Sequence, residues 1–150
     1  MAVLMELSRI LIREMTDMQI IELSEIGGQR TFPIVIGLPE AFAIERRLKG
    51  QILPRPQSHD LLASTIRELG GELKEIIVND LRDGTFYAKL VVDQNGQKIE
   101  IDSRPSDAIA VGIAEDVPIY VAEHVLEQTQ HDGSDDGDLE DEDSFDLNWE

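Results

Sequence analysis

The chain has 150 residues, with 31 acidic side chains against 13 basic ones, a formal net charge of −18 and no cysteine. That length suggests one domain with a real hydrophobic core, and the absence of cysteine excludes disulfides, thiolate catalysis and cysteine-based zinc sites. No run approaches the roughly 18 apolar residues that span a bilayer, and so acidic a chain repels nucleic acid at long range, so any phosphate chemistry needs a local basic patch or a metal.

The N-terminus, MAVLMELSRILIREM, lacks a basic start and a small-residue cleavage site, so a cytoplasmic protein is expected. Residues 3–13 and 18–23 are rich in apolar and β-branched side chains and fit two strands, followed by a turn at Gly27-Gly28. In 31–36, Phe32, Ile34 and Ile36 alternate with Thr31, Pro33 and Val35. This predicts a third strand, placed at an edge or bulge because Pro33 has no N–H to donate.

Two helices follow. Over 39–49, Ala41, Ile44 and Leu48 form an apolar stripe and Glu45 is spaced to pair with Lys49, with Gly50 as the stop. After the linker QILPRPQ, residues 59–69 put Leu62, Ile66 and Leu69 on one face, with Ser58 as the expected N-cap and Gly70-Gly71 as the end. A strand at 73–79, a turn at Asp83-Gly84, a strand at 85–92, the hairpin signal Asn95-Gly96 and a strand at 97–102 make a three-stranded antiparallel meander. The segment 105–114 opens on Pro105, which suits a first helical turn, and its run AIAVGIA is apolar all round, predicting a buried helix. A short strand at 118–121 and a last helical segment to about 128 follow. Strands, then helices, then strands argue for an α+β domain over residues 1–129, with a mixed, largely antiparallel sheet carrying the helices. From His131 to the end there are ten acidic residues and no basic one, leaving about −8 for the rest. Residues 130–150 are therefore expected to form a disordered acidic tail, in which Phe145, Leu147 and Trp149 alternate. Solvation in a salt-rich cell is a second reading of the acidity.

Four polar groupings bear on chemistry. Arg55, His59 and Asp60 cluster at a helix start, where free N–H groups and the helix dipole favour anions. There Arg55 is placed to hold a phosphate and His59 to move a proton; a satisfied core histidine and an ordinary first-turn aspartate are the bland alternative. Arg104 and Asp107 flank Pro105, and a carboxylate against that apolar helix needs a partner, for which Arg104 is well spaced. They fit an arginine-positioned active-site carboxylate or a buried structural ion pair. Asp80, Arg82 and Asp83 surround the Asp-Gly turn, where paired carboxylates suit Mg²⁺ or Mn²⁺, although such turns are common without a metal. Finally Arg46, Arg47, Lys49 and Arg55 gather four of the 13 basic residues into ten positions, the best phosphate-binding patch of the chain or simply a solvated helix face.

Taken together these blocks resemble the bifunctional nuclease domain family. Phe32-Pro33-Ile34-Val35-Ile36-Gly37, with Glu40-Ala41 and Ala43-Ile44, is similar to that family's "LPIWIG…EA.AI". Arg55-Pro56 with Ser58-His59-Asp60-Leu61-Leu62 resembles "RP.THDLL", Asp80 to Ala88 resembles "LRDGTFYA", and Asp102 to Ala110 resembles "DARPSDAIALA". Pro118-Ile119-Tyr120-Val121 completes the set; the departures are Ser58 for Thr and Ser103 for Ala, and the acidic tail lies outside it. The resemblance implies cleavage of DNA and RNA and a homodimer. On that reading His59, Asp60, Arg104 and Asp107 are the expected catalytic residues. Arg55, Arg82, Arg46 and Arg47 are the expected substrate-binding residues, and Asp83 with Asp107 the expected metal ligands. The competing expectation is a non-catalytic binding or regulatory module whose Arg–Asp pairs are structural.

Overall fold

A computed structural model describes residues 1–13, 15–132 and 144–146. In chain order its elements are β1 (Ala2–Leu11), β2 (Gln19–Glu25), β3 (Thr31–Ile36), α1 (Leu38–Leu48), α2 (Ser58–Glu68), β4 (Gly71–Arg82), β5 (Thr85–Gln94), β6 (Gln97–Ser103), α3 (Pro105–Ala114), β7 (Ile119–Ala122), α4 (Glu123–Asp132) and β8 (Ser144–Asp146). The main sheet runs β3-β2-β1-β7-β4-β5-β6, with β8 pairing β1 beside this path. Every pairing is antiparallel except β4 with β7, so the sheet is mixed and largely antiparallel, as the element order predicts.

Local chemistry explains the connections. Asp83 and Gly84, like Asn95 and Gly96, take positive φ at both central positions, the backbone that two-residue hairpins need to match strand twist. They close β4 on β5 and β5 on β6, giving the predicted meander. β4 is longer than the 73–79 read from the sequence, because it pairs with β5 from Gly71 to Arg82 through two register shifts; Asp80 and Arg82 are thus strand residues. Pro33 sits opposite Glu22 in β3, the terminal strand, where no second neighbour requires its missing N–H. β8 falls within the segment expected to be disordered; its backbone pairs with β1 at Arg9–Leu11, and the rest of 133–150 lies outside the described residues.

The sheet curls far enough that Phe32 of β3 stacks on Phe86 of β5, ring centroids 5.5 Å apart, although four strands separate β3 from β5 along the sheet. α4 packs at this closure, touching β3, β4 and β7. The core includes Met5, Ile21, Leu23, Phe32, Ile44, Ile76, Leu90, Ile109 and Leu126, nearly devoid of solvent exposure. α3 packs against α1, β4 and β5 and is buried at seven of its ten residues, as its all-round apolar sequence predicts.

Two expectations for α2 need correction. Gln57, not Ser58, is the N-cap, because Asp60 reaches back to accept the Gln57 N–H at 2.9 Å. The face carrying Leu62 and Leu69 is also exposed; Ala63 is the buried residue, flanked one turn away on either side by half-buried His59 and Ile66. The buried face shares Ile66 with the expected stripe and is centred about a sixth of a turn from it.

Candidate functional site

His59 is the second residue of α2 and Asp107 the third of α3, 48 positions apart, yet His59 Nε2 lies 2.9 Å from Asp107 Oδ1. The starts of the two helices are held side by side by contacts of α2 and α1 with α3. Arg104, the N-cap residue of α3, donates from Nε to Asp107 Oδ2 at 2.8 Å and from Nη2 to Oδ1 at 3.1 Å. Its Nη2 also donates to Glu40 Oε1 at 3.3 Å, tying in the first turn of α1. Glu40 folds over Gly37, where any Cβ would clash with its carboxylate, so glycine at the α1 N-cap lets Glu40 reach Arg104.

The exposures sort these groups. Side chains of His59 and Asp107 are 16% and 29% exposed, whereas Arg104 is 64% exposed. The predicted Arg104–Asp107 pair therefore forms, but it is open to solvent on the arginine side. The Nη1 donors of Arg104 make no hydrogen bond among the described residues. Burial pushes the Asp107 carboxyl up, and the hydrogen bonds from Arg104 and His59 more than offset this, holding it below the usual carboxylate range. It is an anion at neutral pH that fixes the imidazole.

Two clefts meet at these residues. One of about 320 Å³ includes Glu40, Arg46, Ser58, His59, Arg104 and Asp107 in its lining; the other, of about 440 Å³, shares Ser58, His59, Arg104 and Asp107 and adds Leu62, Leu90 and Ile101. Of the expected site residues, His59, Arg104, Asp107 and Arg46 thus converge. Asp60 points elsewhere: it accepts from Arg47 Nη1 at 2.6 Å and from the Gln57 N–H, and the latter bond chiefly holds its carboxyl below the ordinary value. Arg47 is only 9% exposed and spends its charge on that pair. Arg55 lies on the exposed linker, outside the lining of both clefts. Arg82 pairs with Asp80 at 2.6 Å and covers the Tyr87 ring at 5.0 Å, and His124 stands 3.7 Å from Asp80, a separate grouping. Asp83 occupies the tight turn after β4. Glu40 and Ser58 also line the site, and both lie inside family-like blocks, the signal in the sequence that points to them.

The donor set does not fit the expected pairing of Asp83 with Asp107 on a divalent metal. Both oxygens of Asp107 are engaged by Arg104 and His59, and among the described residues no three His, Asp or Glu side chains form a metal-holding group. Among those residues, too, no helix is long and apolar enough to cross a membrane.

The family model described as the bifunctional nuclease domain matches residues 21–134, which include all the residues of this cleft. An uncharacterized protein of Mycobacterium tuberculosis is 47% identical over 106 residues, covering 71% of this chain and 63% of that protein. Bifunctional nuclease 2 of Oryza sativa subsp. japonica is 26% identical over 100 residues, 65% of this chain and 31% of its own length. Bifunctional nuclease of Oryza minuta is 23% identical over 100 residues, 65% of this chain and 30% of its own. The chain thus spans under two thirds of the mycobacterial relative and about a third of the rice proteins.

Proposed function

The chain belongs to the bifunctional nuclease domain family, and from that premise we propose that it hydrolyses phosphodiester bonds of DNA and RNA in the cleft at the starts of α2 and α3. The observation that carries this reading is an imidazole held by a carboxylate next to an exposed guanidinium with unused donors. With Nε2–H donating to Asp107, the lone pair sits on Nδ1, which is the proton acceptor. Nδ1 removes a proton from water, the hydroxide oxygen attacks phosphorus, and the P–O bond to the leaving sugar oxygen breaks. The departing alkoxide takes up a proton, from His59 or from solvent. Arg104 supports the negative charge that builds on the phosphoryl oxygens through Nη1, and Arg46 receives the adjoining phosphate. Asp107 keeps the ring oriented and stays ionised throughout. Water as nucleophile needs no 2′-hydroxyl, which suits a reaction on both DNA and RNA. We take the working enzyme to be a homodimer, as the family resemblance implies.

The experiment is cleavage of plasmid DNA and of RNA by the purified protein, in EDTA and with Mg²⁺ or Mn²⁺ added, beside His59→Ala. Cleavage by the parent and its loss in the variant is the expected result. Equal cleavage by the variant rejects the assignment, and an inactive parent with a folded domain favours the binding-module reading.

A further inference from the structure

Resting on that nuclease reading, we infer that a third cavity beside Arg104 is a subsite for an unpaired base, which makes single-stranded nucleic acid the substrate class. The cavity, about 530 Å³, lies between β3 and the start of β5; Met18, Ile34, Ile36, Thr85 and Phe86 line it, and Arg104 stands at its margin. Arg104 also lines both clefts of the proposed catalytic site. A strand whose phosphate rests on Arg104 therefore brings a neighbouring base to the mouth of this cavity.

The lining suits a base. Phe86 is half-buried and held in place by its stack on buried Phe32, so an aromatic surface is offered without the entropy cost of ordering a loose ring. β3 is the terminal strand, and its outer backbone edge is unpaired by any strand among the described residues. An apolar wall beside an open strand edge matches a flat ring with a polar rim.

Charge favours the same class. In the clefts Arg46 and Arg104 face Glu40 and Asp107, Asp17 adds a carboxylate at the third cavity, and the whole chain carries −18. A duplex binder typically neutralises about 6–10 phosphates with cations, and this surface offers two. Affinity must come from the bases, and duplex bases are stacked inside the helix and unavailable without extrusion.

The test uses the full chain and labelled oligonucleotides of one length: single-stranded DNA, single-stranded RNA, the matching duplexes, and an abasic DNA strand with the same phosphates. Single strands of both kinds are expected to be cut about tenfold or more faster than the duplexes or the abasic strand. The logarithm of their affinity should fall against the logarithm of salt with a slope of about −1.4, for two phosphates. Phe86→Leu, which keeps apolar bulk but removes the ring, should raise KM for single strands about tenfold with kcat nearly kept. Thr85→Trp, at an exposed position of the cavity mouth, should do the same by filling it, with an unchanged melting temperature as the control for folding. Duplex and abasic strands cut at the single-strand rate overturn the base subsite while leaving the nuclease reading intact. So does a normal KM in a folded Thr85→Trp. Cleavage of no substrate at all removes the nuclease reading and this inference with it.

Discussion

Replacing Arg104 by alanine separates a catalytic arginine from a structural one. The change deletes two hydrogen bonds to Asp107 and one to Glu40. Because the guanidinium is 64% exposed, the ion pairs themselves contribute about 0–1 kcal/mol. Asp107, 29% exposed, keeps its bond to His59 but loses its stronger partner, which adds about 1 kcal/mol. The expected cost is about 1–2 kcal/mol, a fall in melting temperature of about 3–8 °C for a domain of this size. If Arg104 stabilises charge in the transition state, turnover falls about 10²–10³-fold, as when one preorganised donor is removed. Arg104→Lys should restore stability more than turnover, since an ammonium keeps the charge but not the fork that spans Asp107 and a phosphate. The assays are a thermal melt and initial cleavage rates on one substrate, for parent and both variants. A melting temperature lowered by more than about 15 °C, or turnover within threefold of the parent in a folded variant, would refute the reasoning.

Three other outcomes follow from the same geometry. The folded-state pKa of Asp107 is depressed, so its contribution to stability is fully present above the ordinary carboxylate value of about 3.9 and is lost as pH falls through the lower folded value; Asp107→Asn should lower stability at pH 7 and flatten its decline below about pH 4, read by chemical denaturation across pH. Arg47→Ala, which removes one of the two partners of Asp60 and empties a buried position, should cost about 1–3 kcal/mol, whereas Arg46→Ala should leave the melt within about 2 °C and reduce the salt slope of single-strand binding by about 0.7. Gly37→Ala forces the Glu40 carboxylate aside; because the clash is with the end of a flexible side chain, the melt should change by less than about 1 kcal/mol while KM and turnover shift modestly, since Arg104 loses Glu40 but keeps Asp107.

Much of the fold was legible because its signals are local. Asp83-Gly84 and Asn95-Gly96 carry the turn chemistry of two-residue hairpins, and the meander β4-β5-β6 follows from them. The run AIAVGIA has no polar face, and α3 is buried accordingly. The α2 start and its buried face were less legible, because Gln57 is a less favoured cap than Ser58 and because the buried Ala63 lies beside the Leu62–Leu69 side of the stripe, which is exposed. Arg104 and Asp107 were paired correctly from a three-residue spacing within one helix start.

The order of elements, the two tight hairpins, the buried helix and the Arg104–Asp107 pair were already determined by residue order, since each depends on neighbours within a few positions. Which distant groups meet was decided by tertiary structure alone. His59 joins Asp107 across 48 residues, while Arg47 and Asp60, equally eligible by type, turn to each other. Phe86 reaches Phe32 because the sheet curls. Packing of α1 and α2 against α3 selects among these partners, and that choice depends on the shape of the whole core, which no local pattern of residues encodes.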